Sequence, residues 1–202
     1  MTAPFCATGV IDARTCGLLV DAYDSCAPYS MARDQHGNPI VHWSHPYLSG
    51  SAATTVLEAV RRCQRLTAGA FHLEPLYPET VLLAALSDGQ GHVAHADNER
   101  RIGDEWVPNH TPQRNFAGIL YLNSGFEGGE LRFEGDEPRI FRPAEGLYVS
   151  FPCDRHFVHE VTPVERGRRY SLALWYTRLY ESANHRLVSA VEQLSSVQDH
   201  LQ

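Results

Sequence analysis

The feature that most constrains this 202-residue chain is a crowded succession of short extended runs between residues 79 and 177. Residues 79–86 (ETVLLAAL) read as a buried strand, and further strands fit 92–97, 115–122, 129–134, 138–142, 146–151, 158–163 and 168–177. The stretches SDGQG, NSGFEGG, EGDEP and RPAEG separate them. Their Gly, Pro, Asn and Asp residues supply the backbone angles of tight turns and interrupt ladders, so they punctuate strands. Many short strands at close intervals bury their apolar faces by folding on one another, which predicts an all-β sandwich or barrel.

Helical patterns flank this core. Asp12 is placed to cap a helix running to about Tyr23, with Cys16, Leu19, Val20 and Tyr23 on one face. Residues 27–50, rich in Pro, His, Gly and aromatics, read as a long irregular segment. A second helix fits 51–66 through Ala53, Val56, Leu57 and Val60, and a last one about 184–200 through Leu187, Val191, Leu194 and Val197. The expected organisation is one domain over 1–202: helical support to about residue 75, a mainly β core at about 79–180, and a closing helix.

Composition narrows the function. A 43% hydrophobic and 20% charged chain suits an ordinary globular core. The net charge of −7, with no basic block, argues against a nucleic-acid partner, because phosphate binding needs clustered cations. No apolar run approaches the roughly 18 residues of a membrane span, and the N-terminus lacks the pattern of a secretory signal. Five scattered cysteines with no CxxC pair are expected as free thiols in a reducing cytoplasm.

The chemistry concentrates in GHVAHADNE, where His95 and Asp97 are two apart. On a strand such residues share a face, so an imidazole and a carboxylate can reach one metal ion. His159, in FVHEVTPVERGRRYS, is the best third ligand. His92 and His156 are rivals, but on regular strands their parity faces them away from His95 and His159. Two His and one carboxylate leave positions open for a chelating cosubstrate and O₂, as in Fe(II) oxygenases. The same donors plus water also suit a zinc hydrolase or a cupin-like metal-binding module. Arg169 and Ser171, ten and twelve positions after His159, favour the first reading. A turn at 165–167 can return the next strand beside that of His159, so that a guanidinium fork and a hydroxyl grip a carboxylate near the metal.

Four stretches resemble the prolyl-hydroxylase group of 2-oxoglutarate oxygenases: HADNE, YLNSGFEGGELRF, GLYVSFP and HEVTPVERGRRYSLALWY. HVAHADN and SLALWYT are most similar to the leprecan-type prolyl 3-hydroxylases. The resemblance covers about residues 80–180 and implies a double-stranded β-helix, or jelly roll, braced by helices on its larger sheet. It makes His95, Asp97 and His159 the ligands of Fe(II). It implies that Arg169, with Tyr121 and Ser171, binds the distal carboxylate of 2-oxoglutarate, and that Trp175 packs below the site. Many relatives carry a Tyr about ten residues before the first ligand, where this chain reads Ala84-Ala85-Leu86, so another group must take that role or the pocket is more open.

The implied reaction hydroxylates an unactivated C–H bond with Fe(II), 2-oxoglutarate and O₂, yielding succinate and CO₂, with ascorbate as a possible reductant. The expected substrate is a prolyl residue in a peptide or protein, or a free amino acid or small natural-product intermediate. Residues 98–114 read as a loop and natural lid, with Asn98, Arg100, Arg101 and Trp106 as candidate substrate contacts. Trp43, His45 and Tyr47 could cover the other side.

Overall fold

The computed structural model describes residues 3–135 and 138–199. In chain order the elements are β1 (Phe5–Ala7), α1 (Ala13–Cys26), β2 (Val41–His42), α2 (Gly50–Phe71), β3 (Tyr77–Ser87), β4 (His92–His95), β5 (Glu99–Ile102) and β6 (Glu105–Pro108). There follow β7 (Phe116–Tyr121), β8 (Glu127–Gly128), β9 (Leu131–Phe133), β10 (Arg139–Phe141), β11 (Tyr148–Pro152), β12 (His159–Val161), β13 (Val164–Arg166), β14 (Arg168–Thr177) and α3 (His185–Asp199). The expected turn at 134–138 and the expected helical end at residue 200 lie partly outside the described residues, as does the Val197 side chain.

A six-stranded sheet runs β1-β11-β7-β14-β3-β2 and a four-stranded sheet runs β10-β9-β12-β4. The pairings within both are antiparallel. Side chains alternate across the large sheet, and each face has its own apolar cluster. The outer cluster joins Val81, Leu83, Leu120, Tyr148, Leu172, Leu174 and Tyr176 to Leu19 and Tyr23 of α1 and Val56 and Val60 of α2. The inner cluster joins Leu86, Ala117, Tyr121, Val149 and Phe151 to Leu131, Phe133 and Val161 of the small sheet. The helices therefore cover the outside of the large sheet, and the two sheets enclose a second core between them.

Local chemistry sets the helices. The Asp12 carboxylate accepts the Thr15 N–H at 2.8 Å and satisfies one of the unpaired donors of the first turn of α1. Helix α2 runs to Phe71, five residues beyond the expected end. Tertiary contacts carry the helix past residue 66 and through Gly69: buried Thr67 bonds the Tyr148 hydroxyl at 2.7 Å, and Phe71 packs on Phe116 at 4.9 Å.

Three further expectations change. Residues 98–114 are not a plain loop, because β5 and β6 form a hairpin turning at Gly103, whose φ is +62°. The strand expected over 92–97 leaves the ladder after His95. The strand carrying Arg169 does not return beside that of His159. Instead β13 leaves to pair with β8, while β14 enters the large sheet between β7 and β3. Short β1, β2, β8 and β13 were not expected from the sequence, since two or three residues carry no readable alternation.

Candidate active site

His95 ends β4 and His159 begins β12, directly opposite each other in the ladder. Asp97 lies two residues past His95 in a bend, where its N–H and that of Asn98 donate to the Cys153 carbonyl at 3.0 and 3.1 Å. Its own carbonyl accepts from the Asn109 amide at 3.0 Å and from the Thr111 hydroxyl at 2.9 Å. Backbone anchoring at both ends of the residue thus aims a carboxylate that the strand alone does not hold. One ligand atom from each of His95, Asp97 and His159 lies within 4.8 Å of the others.

The protonation pattern suits a cation. His95 Nδ1 donates to the Val93 carbonyl at 2.7 Å, and His159 Nδ1 donates to the Phe157 carbonyl at 3.0 Å. A carbonyl can only accept, so in each neutral ring the Nε2 lone pair is free, and these Nε2 atoms approach the Asp97 oxygens at 3.7 and 4.0 Å. Burial holds His159 below the usual imidazole range although Asp97 opposes the shift, which keeps the ring in its metal-binding form. Asp97 is 8% exposed, and its Oδ2 has no hydrogen-bond partner. A buried carboxylate oxygen without a partner is costly, and a metal ion would satisfy it.

A cavity of about 180 Å³ opens beside these residues. On its large-sheet wall, Ser171 stands opposite Tyr121 on one side and Ala84 on the other, with Arg169 two residues along the same face. Arg169 is 3% exposed, and its Cζ lies 4.8 Å from the centre of the Tyr121 ring. The Arg169 Nε and the Tyr121 hydroxyl are both buried and unpartnered, and among the described residues no carboxylate pairs with Arg169. Trp175 lies further along the same wall, with the Arg114 guanidinium 4.3 Å above its ring. Arg114 is itself held by Glu79 at 3.0 Å.

The candidate substrate contacts of 98–114 are not brought to this cavity. Asn98 donates to the Arg114 carbonyl at 2.8 Å and tethers the base of the hairpin. Arg100 is exposed, Arg101 pairs with Asp104 at 3.2 Å, and Trp106 is half-buried. From 27–50 it is Asp34 and Ile40 that line the cavity, while Trp43 packs on the outer cluster and Tyr47 packs at a tilt against Tyr29. His156 sits in a short 3₁₀ turn away from the cavity, but His92 lines it, against expectation. The pairing of β4 with β12 is irregular, with His95 and His92 opposite His159 and Val161, so that Val93 and Ala94 together face Glu160 and the parity rule fails.

Residues 81–177 match the family model described as the 2OG-Fe(II) oxygenase superfamily, and the chain carries a 2OG-Fe(II) oxygenase domain. Human prolyl 3-hydroxylase 3 is 33% identical over 172 residues, covering 75% of this chain and 23% of the human protein. Rat prolyl 3-hydroxylase 2 is 34% identical over 115 residues, covering 50% of this chain and 16% of the rat protein. The chain thus spans less than a quarter of the length of these curated relatives. A Pseudomonas putida prolyl-4-hydroxylase superposes with a TM-score of 0.66 at 22% identity, over 89% of this chain and 94% of that one. The viral collagen prolyl hydroxylase of Paramecium Bursaria Chlorella virus-1 follows at 0.65 and 16%, over 87% and 96%. At these identities the likeness is one of fold, the jelly roll of these oxygenases.

Proposed function

We propose that this chain is an Fe(II)- and 2-oxoglutarate-dependent dioxygenase that hydroxylates a C–H bond, most directly that of a prolyl residue. The observation that carries the reading is Arg169, a buried guanidinium without a carboxylate partner, on the wall of a cavity that also holds the His95–Asp97–His159 cluster. An anion of fitting length would satisfy both ends of that cavity. The family name supplies the pair of cofactors, Fe(II) and 2-oxoglutarate, and the donor set fits them.

In this reading His95 Nε2, Asp97 and His159 Nε2 hold the iron, which when bound supplies the oxygen chemistry with O₂ as oxidant. Arg169 binds the distal carboxylate of 2-oxoglutarate, with the Tyr121 and Ser171 hydroxyls as further donors. The carbonyls of Val93 and Phe157 keep both imidazoles in the Nε2-ligating tautomer. The apolar lining from Leu82, Ile119, Phe151 and Val161 excludes water from the reacting end. A peptide or a small molecule would enter from the open side of the cavity. The prolyl class is supported by the prolyl hydroxylase relatives, and a free amino acid or small intermediate is the second class to test.

We also propose that the chain acts as one oxygenase unit and works in a reducing, cytoplasmic setting. All five cysteines are free and four are buried. No helix among the described residues is long and apolar enough to cross a membrane.

Uncoupled turnover tests the reading: the protein with Fe(II), 2-oxoglutarate and O₂ should form succinate, and a panel of prolyl peptides and amino acids should raise the rate and gain one oxygen by mass. No succinate formation under any of these conditions would refute it.

A further inference from the structure

Beside Ser171 on the same wall, the neighbouring strand β3 offers only the methyl group of Ala84. Here the resemblance implies a tyrosine hydroxyl, and this chain has none. The small sheet supplies a polar group instead. The irregular pairing of β4 turns the His92 ring into the cavity, which it lines together with Ala84, Leu86, Arg169 and Ser171.

The ring is held in one protonation pattern. Gln35 Nε2 donates to the Gly91 carbonyl at 3.1 Å, which fixes that atom as the amide nitrogen, and it lies 3.0 Å from His92 Nδ1. The amide nitrogen carries two N–H groups and serves both acceptors. With Nδ1 accepting, the proton of the neutral ring is on Nε2.

Gln35 is presented on a turn built to hold its shape. Asp34 accepts from the His36 N–H at 2.8 Å and from the Asn38 N–H at 2.8 Å, and Asn38 donates to Gln90 at 2.8 Å. Gln90 in turn accepts from the Ser87 N–H at 2.7 Å, at the end of β3. The 34–38 turn is therefore riveted to the 87–92 connection that delivers His92.

We propose that His92, positioned by Gln35, donates a hydrogen bond to bound 2-oxoglutarate from the small sheet, in the place of the hydroxyl that Ala84 lacks. This deepens the oxygenase reading and rests on it. Arg169 supplies the charge at one wall, and His92 supplies a neutral donor from the facing wall, so the keto acid is held on two sides. Gln35 acts through His92 and is a positioning residue.

Calorimetric titration of 2-oxoglutarate into the anaerobic, Fe(II)-loaded protein tests this. His92→Leu should weaken binding about two- to tenfold, the fold-change of one neutral hydrogen bond. His92→Gln, which restores an N–H, should recover most of the loss, and Gln35→Ala should fall between. Fe(II) affinity, measured separately, should stay at the wild-type value in all three. Wild-type binding by folded His92→Leu overturns the proposal and leaves the oxygenase reading standing. A loss of Fe(II) affinity in His92→Leu overturns it too, by assigning the ring to the metal. No 2-oxoglutarate binding by the wild type overturns both.

Discussion

A guanidinium 3% exposed and without an anionic partner destabilises the chain that carries it, because burial of an unpaired charge costs several kcal/mol. Arg169 therefore predicts an exchange of stability for function. Arg169→Met, of similar volume and apolar, should raise the thermal midpoint of the metal-free protein by an amount equivalent to about 1–3 kcal/mol. The same variant should lose measurable 2-oxoglutarate binding. A lower midpoint in Arg169→Met would show that Arg169 is already satisfied without ligand. His92 gives a pH signature. Its folded pKa lies at about 4, against about 6.5 unfolded, so as pH falls through 6.5 the unfolded chain takes up a proton that the folded chain refuses. Stability is full above about pH 6.5 and declines toward pH 4 by up to about 1.4 kcal/mol per unit, with His159, also held low, adding to the slope. Denaturant midpoints at pH 7 and pH 5 should converge in His92→Asn relative to the wild type, and an unchanged difference would contradict the assignment. Spacing, strand context and the family resemblance together single out His95, Asp97 and Arg169 in the sequence. It misplaces His92, because a strand irregularity three residues from a ligand leaves no trace in composition.

Among the elements, the large sheet constrains the site most closely. β14 carries Arg169, Ser171, Ala173 and Trp175 into the cavity, and its alternate residues Leu172, Leu174 and Tyr176 into the outer core, so the position of the site follows from the packing of the helices behind it. Gly118 on β7 shows how close that packing is. A Cβ there would lie 2.1 Å from the Tyr148 hydroxyl, which Thr67 of α2 holds at 2.7 Å. Gly118→Ala should destabilise the protein by about 1–3 kcal/mol, and Tyr148→Phe in the same chain should return part of the loss. Additive losses in the double variant, read from denaturant unfolding, would contradict this contact. The strands of this sheet are legible in the sequence because they are long and alternate or run continuously apolar, as in RYSLALWY and ETVLLAAL. The β5–β6 hairpin is not, because ERRI and EWVP are largely exposed and bury no periodic face. Nor does the sequence reveal which sheet β14 joins. That depends on β13 pairing with β8, a contact of two-residue and three-residue strands.

At the scale of the whole molecule, two sheets meet at a cavity whose polar groups come from both. The small sheet and the bend after it contribute His95, Asp97, His159 and His92, and the large sheet contributes Arg169 and Ser171, with Tyr121 buried against Arg169. The small-sheet ligands and the large-sheet donors lie in different layers, so a ligand touching both should clamp the sandwich. Sequence reading names the members of both sets except His92, which it turns away from the site, and it places the strands of His159 and Arg169 side by side. In the structure they lie in different sheets on facing walls of the cavity, an arrangement that in the proposed reading would let one keto acid bridge from metal to guanidinium. The most direct test is an anaerobic titration of the Fe(II)-loaded protein with 2-oxoglutarate, followed by the metal-to-ligand charge-transfer absorption. The wild type should develop the band and saturate with one keto acid per chain. His159→Ala should show no band. Arg169→Ala should develop the band only at concentrations about ten- to a hundredfold higher, the loss expected for charge-assisted hydrogen bonds. No band in the wild type, or an unshifted titration in Arg169→Ala, would contradict the assignment of this cavity to Fe(II) and 2-oxoglutarate.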